Sequence, residues 1–184
     1  IRDIGVTGVQ TCALPISRPM KRRVLSALAV AVVIGCMAQA VETPRPLLVW
    51  NATASAPVGL YHRQFGKIAH GDWVLVRPPP GAAKLAADRN YFPQQIALIK
   101  RVVAQGGDRV CRSGETVSIN GRRVAMAMIQ DSRARDLPVW SGCLALSPGE
   151  IFVLNPPRAS FDSRYFGPVP RDHVIERIAP LWTF

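Results

Sequence analysis

Histidine is scarce in this 184-residue chain: there are three, His62, His70 and His173, and none stands at the spacing of a metal-ligand pair. Cysteine is nearly as sparse. The four, at positions 12, 36, 111 and 143, make no close pair of the kind that a zinc site or a thiol redox motif needs. No metal and no cofactor are therefore expected. Acidic residues are also few, 12 Asp plus Glu against 23 Lys plus Arg, for a formal charge of +11, which excludes an acidic disordered tail. Sixteen Pro and fourteen Gly argue against a bundle of long helices. There is no internal repeat and no low-complexity segment. What is present is enough apolar sequence, 48% of residues, to bury a real core in one domain.

The charge is unevenly placed. Residues 1–23 hold five bases and one acid, so +4 of the +11 belongs to that flank and +7 to the remaining 161 residues. The bases there are scattered among strands and turns without the interleaved aromatics of a nucleic-acid platform, so no nucleic-acid partner is expected. Contact with anionic lipid headgroups is the more economical use of the charge.

Val6 to Ile16 reads like the in-frame translation of a sequencing adapter, which sets residues 1–19 apart as a non-native leader and Cys12 with them. From Met20 the pattern changes. Lys21, Arg22 and Arg23 precede the eighteen uncharged residues Val24 to Val41, about 27 Å of helix and just enough for a bilayer core. Residues 20–42 are expected to be a signal anchor in a bacterial inner membrane, with a cytoplasmic N-terminus and residues 43–184 in the periplasm. Two other fates compete: cleavage after Ala38-Gln39-Ala40, and lipidation at Cys36 within Val33-Ile34-Gly35-Cys36.

Beyond the linker Thr43 to Leu47, short strands are expected at Leu47 to Asn51, Val58 to Gln64, Asp72 to Val76, Ile96 to Ala104, Ile151 to Leu154 and Val174 to Ala179. Thr116 to Ile119 and Arg122 to Ala125 flank Asn120-Gly121, a strong hairpin signal because both central residues of a type I′ turn need positive φ. One short helix is expected, about Ala82 to Asn90. The fold class is mostly β, an antiparallel domain with a small inserted β subdomain over 109–149. In an oxidising compartment Cys111 and Cys143, 32 residues apart, are expected to pair. Closing a loop of that size contributes roughly 3 to 4 kcal/mol in the chain-entropy account.

Three segments carry chemistry. Asn51 to Tyr61 is a turn of small residues in which Pro57 and Gly59 fix a bend presenting Ser55. In Ile96 to Ala104, Lys100 stands in an otherwise apolar strand. Desolvation disfavours the ammonium, so a lysine held there titrates lower and becomes a neutral base near pH 7 to 8. Asn155 to Val169 contains Ser160, Asp162 and Arg164; the last two are read as an ion pair supporting an ordered loop. A Ser-His-Asp triad finds no support, for want of a Gly-x-Ser-x-Gly elbow or a well-placed histidine.

In this order, the Ser-Ala-Pro turn, the Lys-Arg-Val strand followed by Gly-Asp, and Ser160-Phe161-Asp162-Ser163-Arg164 resemble the boxes of bacterial type I signal peptidases, which use a Ser/Lys dyad. The resemblance covers about residues 47 to 182, and the form Ser-Ala-Pro-Val-Gly-Leu-Tyr is similar to the conjugal-transfer TraF branch. Leu154-Asn155-Pro156-Pro157 departs from the Gly-Asp-Asn-Arg usual in leader peptidases. The resemblance implies a signal-peptidase-like fold with a single N-terminal transmembrane helix. It implies Ser55 as nucleophile, Lys100 as base, Ser160 orienting Lys100, and Thr53 with the Ser55 N–H as oxyanion donors. The implied partner is an exported polypeptide cut after small residues, a pilin precursor in the TraF branch, docked by strand addition. Water and an amine both stand as acceptors of the acyl group. Two other classes compete: a non-catalytic periplasmic β module of a transfer complex, and a self-cleaving repressor, which the membrane segment speaks against.

Overall fold

Strands here are short because Gly and Pro interrupt the chain every few residues, and the sheet is assembled from many of them. The computed structural model describes residues 24–32 and 46–184. Residues 24–32 form a helix, α1, exposed along its length. Among the described residues no helix is long and apolar enough to cross a membrane. The transmembrane helix expected over 20–42 is thus not found there; the rest of that span, the leader 1–19 and Cys36 lie outside the described residues.

The unit Arg45–Phe184 holds the sheets. Its strands are β1 (Leu48–Asn51), β2 (Gly59–Gln64), β3 (Trp73–Val76), β4 (Leu98–Gln105), β5 (Arg109–Ser113), β6 (Thr116–Ile119), β7 (Arg122–Met126), β8 (Gly142–Ala145), β9 (Glu150–Leu154), β10 (Val169–Pro170) and β11 (Val174–Thr183). Seven form one antiparallel sheet in the order β1-β2-β11-β3-β4-β9-β10, and four form a second, β7-β6-β5-β8. Phe152 and Leu154 of β9 meet Val110 and Val117 of the second sheet in one buried cluster, so the two sheets share a core.

Most expected strands stand within two residues of their places. Three escaped the sequence reading. In β5 the inward positions are Val110 and Arg112, so its buried face reads as half charged. The strand β8 is an edge strand with every residue exposed, and β10 is two residues long. The helix α2 runs Pro80–Asp88 rather than 82–90. Proline is tolerated at the first helical position, where its missing N–H would have no partner anyway. A four-residue helix, α3 (Ser163–Phe166), was also unforeseen; Asp162 caps it by accepting from the Arg164 N–H.

Two local features behave as their residues require. Asn120 and Gly121 take φ of 50° and 81°, the two positive values of the expected hairpin turn. Gly59 opens β2 at φ 143°, where any Cβ would run into the Trp182 carbonyl oxygen of the neighbouring β11. Cys111 and Cys143 face each other across β5 and β8 and form the expected disulfide.

Candidate active site

The Ser55 turn leaves β1 and returns into β2, and one side chain organises it. Asn51, 6% exposed at the end of β1, directs its Nδ2 to the carbonyls of Thr53, Ala56 and Pro57 at 2.9, 3.1 and 3.0 Å. Its Oδ1 accepts from the Thr53 N–H at 3.1 Å and from Thr53 Oγ1 at 2.9 Å. Fully buried Tyr61 donates to the Pro57 carbonyl at 2.7 Å, closing the bend from the β2 side. Ser55 stands half-buried on this turn, with Oγ 3.3 Å from Thr53 Oγ1.

Lys100 lies in β4, opposite Val74 of β3 and on the same face as Val102, just before a bulge that turns Ala104 to the other face. Its aliphatic stem is therefore flanked by fully buried residues, and the whole side chain is 3% exposed. Burial pulls its ammonium from 10.5 down to about 8; the Asp162 carboxylate opposes the shift and the Arg164 guanidinium adds to it. Lys100 Nζ donates to Ser160 Oγ at 2.6 Å, itself buried.

Ser160 is held by the loop between β9 and α3, and that loop is built around a buried ion pair. Arg164 Nε and Nη2 donate to the two oxygens of Asp162 at 2.8 and 2.9 Å, with both side chains at most 1% exposed. A pair this deep is stable only if the remaining donors and acceptors are used. They are: Asp162 also accepts from the Asn155 and Arg164 N–H groups, and Arg164 donates to the carbonyls of Asn155, Met126 and Arg158. Asn155 then stitches the loop to the lysine strand, donating from Nδ2 to the Ile99 carbonyl at 2.9 Å and accepting the Arg101 N–H at 3.2 Å.

Ser55, Thr53, Lys100 and Ser160 all line one cavity of about 600 Å³. Ser55 and Lys100 make no hydrogen bond to each other among the described residues; each is paired with its own neighbour. Contacts of this kind are commonly long before substrate enters. Asp162 and Arg164 lie behind Ser160 rather than on the cavity wall. The sequence reading missed the parts played by Asn51 and Asn155. Both are amides at the ends of apolar strands, a placement that carries no signal until the carbonyls around them are known.

The family description "Signal peptidase, peptidase S26" matches residues 20–182. The chain belongs to the S26 signal peptidase family. Within it, this signal peptidase homologue is 34% identical over 145 residues to a plasmid transfer protein TraF of Escherichia coli, covering 73% of this chain and 82% of that protein. A probable conjugal transfer protein TraF of Sinorhizobium fredii is 36% identical over 147 residues, covering 73% and 76%. A solved signal peptidase I of Enterococcus faecalis overlaps 63% of this chain and all of its own, at 19% identity and a TM-score of 0.38. The mostly antiparallel β fold of this S26 member agrees with the expectation from its sequence.

Proposed function

We propose that this S26 family member is a membrane-anchored serine endopeptidase of the bacterial inner membrane, with a periplasmic Ser55/Lys100 dyad, that trims exported proteins and in particular conjugative pilin precursors. The observation that carries the reading is the buried Lys100 amine, pulled to about 8 and sharing a cavity with Ser55. A lysine that loses its proton near neutrality can act as a base, whereas one at 10.5 cannot.

In the proposed reaction neutral Lys100 takes the proton from Ser55 Oγ as that oxygen attacks the scissile carbonyl carbon. The tetrahedral oxyanion is held by the Ser55 N–H and by the Thr53 hydroxyl, which must first turn from Asn51 Oδ1; loss of such a donor typically costs about 3 to 4 kcal/mol. Breakdown cleaves the C–N bond, and Lys100 returns the proton to the leaving amine, which gives an acyl-enzyme. Water or an incoming amine then resolves the ester by the same proton path in reverse. Ser160 keeps the Lys100 amine aimed throughout, and the Asp162/Arg164 pair keeps Ser160 in place. The relatives named TraF support a role in conjugation.

The test is cleavage of a co-expressed pilin precursor, or of a reporter with small residues before the scissile bond, in membranes. Intact protein, Ser55→Ala and Lys100→Ala are compared at matched expression. Cleavage by the intact protein alone is the expected result. Equal cleavage by all three removes the dyad and leaves a non-catalytic β module of the transfer apparatus.

A further inference from the structure

The cavity holding Ser55 and Lys100 is far larger than those two groups need. Its volume is about 600 Å³, against about 30 Å³ for one water molecule in the liquid. A small residue at the scissile bond occupies only the end beside Ser55. Leu75 and Ile99 on its lining pack in one apolar cluster with Ala56, next to Ser55, whereas Tyr91, Phe92, Met128, Leu137 and Phe161 pack in another and form a separate wall, the far end as set against that first cluster. Phe161 lies at its centre, 5.6 Å from the Tyr91 ring, 6.2 Å from Phe92 and 5.8 Å from Tyr165, so ring faces and edges are both on offer.

The wall comes from stretches distant in sequence, and a polar clamp joins two of them. Tyr91 Oη donates to Asp131 at 2.5 Å and Arg135 Nε donates to the same oxygen at 2.7 Å. The N–H groups of Arg133 and Arg135 reach the other oxygen at 2.8 and 3.0 Å. Arg89 holds the Asp136 carbonyl at 2.8 Å and Arg135 holds the Arg89 carbonyl at 3.3 Å.

The clamp also uses up the charge that could select a polar ligand. Asp131 is the sole carboxylate on the lining among the described residues, and with four donors already on it nothing is left for a basic side chain. Tyr165 Oη accepts from the Met128 N–H at 3.1 Å and donates to the Arg158 carbonyl at 3.0 Å. The exposed Ser132 hydroxyl at the rim is the remaining side-chain polar group there. A charged occupant would be desolvated without a partner; an apolar one loses nothing.

Building on the peptidase reading above, we infer that the far end of this cavity is a subsite for one bulky apolar side chain of the polypeptide substrate, set apart from the small residue at the scissile bond. The occupant is of the Phe or Leu class.

The test separates binding from cleavage. Ten-residue peptides of Ala and Gly, with a single Phe walked through every position, are titrated into the full-length Ser55→Ala protein by calorimetry. One position is expected to tighten Kd by about tenfold or more, the size expected from burying one large apolar side chain. Lys at that position is expected to abolish the gain. Met128→Trp, which fills the pocket, is expected to reverse the ranking so that Ala binds better than Phe, while thermal melting shows the variant folded. If Phe changes Kd less than twofold at every position, or if a folded Met128→Trp protein keeps the Phe preference, the subsite is overturned. A Phe preference in a protein whose dyad variants still cut would retain the subsite and discard the mechanism, so the two failures are distinguishable.

Discussion

The two halves of the site are built differently. The Ser55 side is a half-buried turn held mainly by one amide, Asn51, whereas the Lys100 side sits 3% exposed against a buried ion pair and a second amide, Asn155. The contrast fits what each group would do in the proposed reaction. A nucleophile has to meet a substrate backbone that arrives from solvent, so its turn is short, small in residue and open. A lysine base has to be held in a dry place to lose its proton near neutrality, and drying a charge requires a rigid, fully bonded surround.

The sharpest way to test the contrast is Lys100→Met. Activity is expected to fall by at least about 10³-fold, read as reporter cleavage. Stability is expected to move the other way. The unfolded lysine keeps its proton up to about 10.4 and the folded one only to about 8, so at pH 7 the fold is penalised for holding the ammonium. Removing it is expected to stabilise the protein by up to about 3 kcal/mol at pH 7. The gain should shrink between pH 8 and 10.5 and vanish above, which melts across that range will show. The stability difference between Ser55→Ala and the intact protein is expected to show no such dependence, because both keep Lys100.

Arg164→Met is next in size. It leaves the fully buried Asp162 carboxylate unpaired, and a loss of about 3 to 5 kcal/mol is expected in the denaturant midpoint. A loss below 1 kcal/mol would mean that the rigid half is not rigid by virtue of this pair. The pH profile should then report the base half alone: kcat/KM of the intact protein rising about tenfold per unit below pH 8 and levelling above it. A profile flat from pH 6 to 9 would contradict the buried-base assignment. Smallest is Asn51→Ala, with about 1 to 3 kcal/mol expected and kcat reduced more than KM is raised. If it destabilises as much as Arg164→Met, the contrast between an open half and a fixed half fails.

How much of this was readable in advance differs in the same way. Lys100 stood out because a lone lysine in an apolar strand has few uses, and Ser55 because a turn of small residues exposes it. The Asn120-Gly121 turn needed no tertiary information. Asn51 and Asn155 did not declare themselves, because an amide is informative only once the carbonyls around it are known. Arg112 hid β5 by filling an inward position with a charge that is satisfied by the carbonyls of Gly114, Pro138 and Arg164. The cavity wall was least legible of all: Tyr91 and Leu137 lie 46 residues apart and meet through a loop whose polar residues read as surface.

The bond between Cys111 and Cys143 encloses the stretch that carries Met128, Asp131 and Leu137. Anyone producing this protein therefore chooses the state of its cavity when choosing where to express it. Chain made in a reducing cytosol keeps that loop by packing and hydrogen bonds alone, and chain exported before folding has it stapled. Preparations from the two routes should be compared before their peptide preferences are, since a difference between them would report the history of a thiol pair rather than the selectivity of the cavity.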